Sequence, residues 1–435
     1  MPAYIQQHRE RIREVCTLLR SAERPVRLLS TLAWPAEIRQ RFFDRKAAEL
    51  PRPVYPKFDA APTFAAVSRA RRSIATGHPV EDWLARLADV IEGGARMLAG
   101  IGTPAFFRQS RLLYGAPTDP LRDESSNSLE LARSFHLVLD DLTHVDLGAP
   151  PDACVLADAV AAEMTSVVRQ QFGEQAPVVE VVDQLSANAL AGARRIRIRR
   201  GACFTDRDVA QLIQHEAFVH VGTSLNGLLQ EELPILAAGH AGTTRTQEGL
   251  AVFAEFISGS IDLDRLRRLA DRVVAIQMSI EGGDFLDVYR FFLEQSGNEG
   301  QSFENARRIF RGGNVEGGAP FTKDCVYLDG LLRVHSFLRS IVTMGRADCL
   351  RLLFCGKLDI EDMPALVALS EAGMCRPPRY LPPWATDLRF LIAYLAYSRF
   401  LNTIDAKLIA AHYEQMLGSF PRLSPAIGAD KAVRV

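Results

Sequence analysis

Cysteine is scarce in this sequence of 435 residues, which contains only seven, and no two of them form a CxxC pair. The cysteines are scattered along the chain, at Cys16, Cys154, Cys203, Cys325, Cys349, Cys355 and Cys375. Such a pattern predicts neither a disulfide framework nor a zinc site built from thiolates. It favours reduced thiols, as in a cytoplasmic protein.

The sequence also lacks an excess of charge of either sign and a long apolar run. Its 51 lysines and arginines nearly balance 52 acidic side chains, so we expect no dedicated binding to nucleic acid or to an anionic membrane. The longest apolar run near the C-terminus, Phe390 to Tyr397, is too short to cross a bilayer. The first residues lack the apolar stretch of a secretory signal, and we therefore expect a cytoplasmic protein.

Proline clusters divide the chain into three predicted regions. The apolar fraction of 48% and the charged fraction of 24% are typical of a globular protein. Prolines concentrated in 51–62 predict an extended linker, and a second cluster falls in 377–383. We predict an N-terminal helical region with a proline-rich linker at 1–100, a core at 101–345, and C-terminal helices packing on that core at 346–435. The oligomeric state is not indicated.

Hydrophobic periodicity predicts mostly helix, with a small sheet in the middle of the chain. The main helical segments are 81–99, 128–142, 246–275, 324–344 and 386–417. Two stretches rich in β-branched residues, 177–182 and 196–199, predict strands. Thr205 and Asp208 form a capping-box pattern, so a helix should begin near 206. The expected fold class is α+β, predominantly helical, with a small central β-sheet.

Two of the nine histidines lie five residues apart on the helix that begins near 206, in the pattern HExxxH. His215 and His220 are these residues, and Glu216 directly follows the first. In the related pattern HExxH, two histidines bind zinc and the glutamate acts as general base. The motif therefore predicts Zn²⁺ bound by His215 and His220, with Glu216 as general base. A helix carrying two incidental histidines is the alternative.

The extra residue in this motif has a structural consequence. Side chains five positions apart on a regular α-helix point about 140° away from each other, and they cannot share one metal ion. A π-type distortion, with hydrogen bonds between residues i and i+5, brings them to one face. We predict such a distortion within 215–220.

A catalytic zinc site requires a third protein ligand and an open fourth position. Glu248 is the candidate third ligand, because it follows His220 by 28 residues at the start of another predicted helix. Gly249 beside it permits close approach of two helices. Glu255 lies two turns further on the same face, where a carboxylate can orient a metal-binding histidine.

Several further motifs complete a resemblance to a known family. They are Asn226-Gly227, Gln247-Glu248-Gly249-Leu250-Ala251, Phe310-Arg311-Gly312-Gly313, Phe321-Thr322-Lys323-Asp324 and Tyr327-Leu328-Asp329-Gly330. The sequence resembles the QEGLA-motif family of metallopeptidases, whose bacterial members are called flavohemoglobin expression-modulating proteins. It is also similar to the microtubule-associated tyrosine carboxypeptidases. The resemblance implies zincin-like helices in a metallopeptidase core at 101–345, with His215, His220 and Glu248 as ligands and Glu216 as base.

The resemblance also bears on the substrate. Eukaryotic members of this family remove a C-terminal tyrosine from tubulin. Between the two histidines, this sequence has Ala217-Phe218-Val219, where we associate the eukaryotic form with glycine and threonine. That difference concerns substrate identity more than metal binding.

The predicted chemistry requires additional side chains around the metal. Tyr327 is the first candidate, and His335 the second, for donating a hydrogen bond to a tetrahedral oxyanion. Arg311 and Lys323 are candidates for binding the terminal carboxylate of a peptide or protein substrate. We therefore predict a zinc-dependent peptidase that acts as a carboxypeptidase. Two alternatives stay open: a regulatory or ligand-binding protein that keeps the zinc site without turnover, and a zinc hydrolase of a non-peptide amide.

Overall fold

A computed structural model describes residues 2–142, 145, 154–183, 185, 187–417 and 419. Helices dominate the described residues, and the predicted α+β class is confirmed. The α-helices are α1 (Pro2–Glu23), α2 (Leu28–Thr31), α3 (Ala36–Asp44), α4 (Ala61–Arg71), α5 (Pro79–Ala99), α6 (Pro104–Tyr114), α7 (Ser128–Asp141), α8 (Ala157–Phe172), α9 (Asp206–Leu212), α10 (Gly222–Leu228), α11 (Ala241–Ile257), α12 (Leu263–Ile280), α13 (Phe285–Ser296), α14 (Glu299–Phe310), α15 (Val326–Thr343), α16 (Asp348–Leu352), α17 (Met363–Glu371), α18 (Pro383–Thr386), α19 (Arg389–Leu401) and α20 (Ala406–Leu417).

The strands form two small sheets. They are β1 (Val155–Leu156), β2 (Val178–Val182), β3 (Ala189–Ala191), β4 (Arg195–Arg199) and β5 (Cys203–Phe204). In the three-stranded sheet, β4 is central, with β2 parallel on one side and β3 antiparallel on the other. The side chains of Ile196 and Ile198 are buried, whereas Arg195 and Arg197 are exposed. Both predicted strands are confirmed, and β3 is left as an edge strand.

A disulfide links Cys154 to Cys203, with 5.2 Å between the two Cα atoms. The expectation of reduced, unpaired cysteines is therefore wrong for this pair. The two residues meet because β1 and β5 pair antiparallel, although 49 positions separate them in the sequence. The spacing of these cysteines in the sequence does not predict the disulfide. Disulfides are rare in the cytoplasm, so the cysteines no longer support the prediction of a cytoplasmic protein.

The observed helix boundaries agree with the predicted ones where a strong capping motif occurs. They differ where the helical periodicity continues across a turn. The predicted start near 206 is confirmed, because Thr205 and Asp208 form both hydrogen bonds of a capping box. The predicted helix at 246–275 is instead two helices, α11 and α12. Gly259, with a φ of +72°, lies between them, and the side chain of Asp262 caps α12. The segment 386–417 is likewise interrupted.

Two apolar clusters meet at the segment that carries the HExxxH motif. The larger cluster unites α1, α4, α5, α11, α15 and α17 and includes Val219. The smaller cluster joins α8, β4 and α9 and includes Ala217 and Val221. The motif is therefore held between two packed layers, which fixes its backbone.

Close packing of α11 against α15 depends on two glycines. A Cβ atom at Gly249 would lie 2.2 Å from the carbonyl oxygen of Gly330, and a Cβ at Gly330 would lie 2.3 Å from that of Arg245. No side chain fits such gaps. The glycines of the QEGLA and YLDG motifs thus set the distance between the two helices.

The C-terminal helices differ in their packing. Leu391 and Leu395 of α19 are buried in the larger cluster, whereas every residue of α20 is exposed. The division into regions at 1–100, 101–345 and 346–435 stays a prediction. Among the described helices, none combines the length and apolar character needed to cross a membrane.

Candidate metal centre

The HExxxH motif lies on a π-helix, Ile213–Val221, which follows α9 directly. The rings of His215 and His220 lie 4.8 Å apart between centroids, at an interplanar angle of 85°. On a regular α-helix these side chains would diverge, whereas hydrogen bonds between residues i and i+5 bring them to one face. The prediction of a π-type distortion within 215–220 is confirmed.

Polar side chains bind the carbonyl groups near the end of this π-helix. Thr223 donates a hydrogen bond from Oγ1 to the carbonyl of Val219 at 2.7 Å, and Ser224 donates to that of His220 at 2.6 Å. Lys357 Nζ also donates to the His220 carbonyl, at 3.1 Å. Buried carbonyl groups outside a regular α-helical pattern need such partners, and these three side chains stabilise the distorted backbone.

Glu248 completes a compact group of three donors. It lies about two turns into α11, and its Oε2 is 3.4 Å from His215 Nε2 and 3.6 Å from His220 Nε2. The donor atoms of the three residues all lie within 4.8 Å of one another, and the described part of the chain contains no second group of this kind. Two imidazoles and one carboxylate form the ligand set of many catalytic zinc sites. The residues present therefore fit Zn²⁺.

Glu255 holds the ring of His215 from its other nitrogen. His215 Nδ1 and Glu255 Oε1 are 2.6 Å apart, and Arg265 donates to both oxygens of Glu255 at 3.0 Å each. Burial alone would lower the pKa of His215, but the hydrogen bonds with Glu248 and Glu255 raise it to about 10. Burial would raise the pKa of Glu255, but Arg265 and His215 lower it to about 2. A carboxylate in this position fixes the orientation of a metal-binding imidazole.

Lys323 binds the second oxygen of Glu248. Its Nζ donates to Glu248 Oε1 at 3.1 Å, and both side chains are mostly buried. Burial opposes both charges, but Lys323 and the two histidines hold the pKa of Glu248 well below its usual range. The lysine therefore binds a candidate ligand, and its predicted role in binding the substrate carboxylate stays a prediction.

His220 lies near one carboxylate, that of Glu248, and one cation, Lys357, whereas His215 contacts two carboxylates. Burial and the charge of Lys357 lower the pKa of His220 to about 4. His220 Nδ1 has no hydrogen-bond partner among the described residues. Lys357 also donates to Gln247 Oε1 at 3.0 Å, and Thr223 Oγ1 lies 2.9 Å from the same oxygen. Burial lowers the pKa of Lys357 itself to about 8.

Glu216 lies beside the donor group on the wall of a cavity of about 570 Å³. The backbone N–H of Ala191, on the edge strand β3, donates to Glu216 Oε2 at 2.9 Å. The carboxylate is buried, which raises its pKa. His215 and Tyr327 line the same cavity. A carboxylate with a raised pKa next to a metal-binding group is suited to accept and return a proton.

Residues 40–403 match the family model of the microtubule-associated tyrosine carboxypeptidases. The chain belongs to this family. The match covers the π-helix, Glu248, Lys323 and Lys357. The match supports the similarity to the tyrosine carboxypeptidases. The similarity to the flavohemoglobin expression-modulating proteins stays a resemblance. No curated protein matches the sequence.

Tyr327, the first candidate for the oxyanion donor, lines the cavity. Three cations surround its ring, with Arg272 and Lys323 each 5.2 Å and Arg308 5.9 Å from the centroid. Arg308 donates to the Tyr327 hydroxyl at 3.3 Å. A phenolic oxygen that accepts one hydrogen bond still has its own proton to donate. The position of Tyr327 thus suits the predicted role, which stays a prediction.

Arg311 and His335 are predicted site residues that do not line the cavity. The guanidinium of Arg311 lies 5.5 Å from the ring centroid of Phe321. His335 contacts Phe253, and its Nε2 lies 3.4 Å from the hydroxyl of Tyr394. His335 is two turns from Tyr327 on the same helix, but it faces the packed aromatic side chains.

Sequence reasoning missed the cations that support the site. Arg265 and Lys357 have no recognisable motif, and each contacts the centre only through tertiary folding. A weak signal existed for Arg265, since it follows Glu255 by ten residues. The turn between α11 and α12 brings Arg265 back to Glu255. The helical periodicity of 246–275 did not indicate that turn.

Proposed function

We propose that this protein is a zinc-dependent carboxypeptidase in which His215, His220 and Glu248 bind Zn²⁺. The observation that carries the proposal is the convergence of these three side chains on a π-helix and α11, within 4.8 Å of one another. Glu216 lines the adjoining cavity and is the general base. Membership of a family described as tyrosine carboxypeptidases supports the same reaction class.

Zn²⁺, when bound there, supplies a Lewis acid that polarises the scissile carbonyl and lowers the pKa of a water molecule. The chain provides the proton transfers. Glu216 accepts a proton from the attacking water and delivers it to the departing amine. Burial raises the pKa of Glu216, which favours this exchange near neutral pH. Ala191 N–H fixes the carboxylate while it gains and loses the proton.

Tyr327 stabilises the charge that develops on the former carbonyl oxygen. Its hydroxyl already accepts a hydrogen bond from Arg308, which makes the phenol a better donor because hydrogen bonds in a chain strengthen one another. Preorganised donors of this kind contribute about 10²–10³-fold to the rate of acyl transfer.

The substrate is a peptide or protein with a free C-terminus, and we propose tyrosine as the first terminal residue to test. The family description supports that choice. The cavity of about 570 Å³ has the size of a site for one or two side chains.

Zinc content and activity in matched variants test the proposal. We expect about one zinc ion per chain in the unaltered protein and in Glu216→Gln. His220→Ala and Glu248→Ala should lose zinc, and all three variants should lose hydrolysis of tyrosine-ending peptides, Glu216→Gln by about 10³-fold. Glu231→Gln changes an exposed glutamate paired with Arg376 and should alter neither quantity.

Three outcomes would contradict the proposal in different ways. Stoichiometric zinc in Glu248→Ala would remove Glu248 from the ligand set. Stoichiometric zinc without hydrolysis of any peptide would favour a protein that keeps the zinc site for binding. Hydrolysis confined to non-peptide amides would assign a different substrate class to the same centre.

A further inference from the structure

Three arginines of α12 face the cavity that His215 and Glu216 line. Arg265, Arg268 and Arg272 are spaced i, i+3 and i+7, which puts them on one face of the helix. All three line the cavity. Arg268 and Arg272 differ from the other arginines on the cavity wall, each of which has an acidic or amide side chain as a partner.

The first arginine of this face, and Arg308 opposite, are already paired. Arg265 donates to both oxygens of Glu255, at 3.0 Å each. Arg308 donates to both oxygens of Asp324, at 2.6 and 3.0 Å. Each guanidinium is matched by one buried carboxylate in bidentate geometry. The charges of these two arginines are therefore already balanced by protein carboxylates.

Arg272 lacks such a partner. Its closest carboxylate oxygen is Asp324 Oδ2, at 3.8 Å from Arg272 Nε, and Arg308 already binds that carboxylate. The side chain of Arg272 is only 11% exposed, and its buried Nε has no hydrogen-bond partner among the described residues. Burial and the charge of Arg308 lower the pKa of Arg272 to about 10. One carboxylate thus faces two buried guanidinium groups.

Arg268, one turn earlier, is half-buried, and only the more distant carboxylates of Asp262, Asp208 and Asp264 offset its charge. No hydrogen bond or ion pair joins it to a residue that the structure describes, and burial with the charge of Arg265 lowers its pKa. Burying a cation without a counter-charge is costly unless a ligand provides one. The cavity therefore offers two guanidinium groups to an anion close to the candidate metal centre.

We propose that Arg272, with Arg268, binds the terminal carboxylate of the peptide substrate and so restricts cleavage to chain ends. This inference rests on the proposed peptidase function and identifies its substrate-binding residues. Guanidinium groups match a carboxylate in shape and charge. The two residues take the role predicted for Arg311, which packs on Phe321, and for Lys323, which binds Glu248.

Paired peptides test the inference. Hexapeptides ending in each of the twenty amino acids are prepared as the free acid and as the amide. The unaltered protein should cleave free acids at least about 30-fold better than amides, because charge-assisted hydrogen bonds are lost in the amide. Arg272→Ala should lower kcat/KM for free acids by a similar factor, mainly through KM, and should hydrolyse the two forms equally well. Arg268→Ala should lower it less, by about 5-fold.

Variants on the same helix separate binding from folding. Arg267→Ala removes an arginine of α12 that pairs with Asp140 at 3.0 Å and does not line the cavity, and it should leave kcat/KM unchanged. Arg272→Lys should recover part of the preference for free acids. Zinc content and thermal stability of Arg272→Ala should stay close to those of the unaltered protein, because Arg308 still binds Asp324 and the lost contact with that carboxylate is long, at 3.8 Å. A lower stability, with the preference for free acids retained, would make Arg272 a structural residue.

A binding measurement distinguishes this inference from the peptidase proposal. The same peptides are titrated calorimetrically into Glu216→Gln and into the unaltered protein stripped of metal by a chelator. Tighter binding of free acids that disappears with Arg272→Ala supports the subsite even if no peptide is cleaved. Cleavage without any preference for the free acid, or absence of the preference in both cleavage and binding, overturns the subsite.

Discussion

The two ends of the π-helix present their histidines to opposite electrostatic environments. At the first end, His215 is bound by Glu255, which Arg265 holds from behind. Burial opposes the charge of the imidazole, but the hydrogen bonds with Glu248 and Glu255 raise its pKa to about 10. At the other end, His220 has no partner for Nδ1 in the described structure. There, burial and Lys357 lower the pKa to about 4.

This difference shows that the two candidate ligands of one motif are positioned by different forces. The His215 end depends on a charged pair that orients the ring itself. The His220 end depends on hydrogen bonds to the backbone carbonyl, from Ser224 and Lys357. Changes at the first end should therefore alter metal affinity strongly, whereas changes at the second should mainly alter the backbone and the acid sensitivity of the imidazole.

The largest effect is expected at the His215 end, from Glu255→Ala. The substitution leaves Arg265 buried without its partner, which should cost about 3–5 kcal/mol of unfolding free energy. Loss of the carboxylate that orients His215 should weaken zinc binding by about 10–100-fold. Denaturant unfolding and competition with a zinc chelator measure the two quantities.

The double variant Glu255→Ala with Arg265→Met separates these two effects. Removal of the uncompensated charge should restore most of the stability, but the zinc affinity should stay low. If zinc affinity returned together with stability, Glu255 would act by maintaining the fold, and the contrast between the two ends would fail.

A second prediction concerns pH and the metal-free protein. His220 has a folded pKa near 4, below the unfolded value of about 6.5, so the unfolded chain binds a proton first as pH falls. Stability should drop by ~3 kcal/mol between pH 6.5 and 4 through this group. His215 has a folded pKa near 10, so its contribution is present below pH 6.5 and is lost as pH rises through 10.

Unfolding free energies of the chelator-treated protein across this pH range check the opposite signs. His220→Gln should flatten the acid side of the curve, and His215→Gln should flatten the alkaline side. An acid slope unchanged by His220→Gln would show that another group governs acid sensitivity and that the two histidines do not differ as described.

A smaller effect is expected from Lys357→Met. The variant removes two hydrogen bonds, but Ser224 still donates to the His220 carbonyl. Stability should fall by about 1 kcal/mol or less. The pKa of His220 should rise, because a neighbouring positive charge is lost, and nuclear magnetic resonance titration of the imidazole in the metal-free protein measures it. Lys407→Met, on the exposed helix α20, is the control and should change neither.

The sequence predicted those parts of the site whose geometry is local. A separation of five positions between His215 and His220 requires a π-type distortion if both side chains are to meet at one metal ion, because they would diverge on a regular α-helix. Its motif and the glycine beside it, which permits contact between α11 and α15, pointed to Glu248, whose carboxylate lies within 4.8 Å of both histidine donor atoms; its role as a ligand stays a prediction. The same local reasoning located the start of α9.

Long-range contacts escaped prediction for a physical reason. Lys357 reaches the His220 carbonyl across 137 positions, and Cys154 reaches Cys203 across 49. Residue type and spacing do not encode such pairs, which arise only when helices and strands pack. Packing also directs a side chain that periodicity alone does not: His335 is two turns from Tyr327 on the same helix, but its ring contacts Phe253, and its role as a second oxyanion donor stays a prediction.

The smallest expected effect concerns Gly222, the residue that follows the π-helix. Its φ of −54° and ψ of −51° are helical, and a Cβ atom there would have no neighbour within 4 Å. Gly222→Ala should therefore stabilise the protein by about 0.4–1 kcal/mol, because the unfolded chain loses freedom. Zinc content should not change. If the variant were instead destabilised and lost zinc, backbone freedom at this glycine, and not the hydrogen bonds from Ser224 and Lys357, would maintain the His220 end of the π-helix.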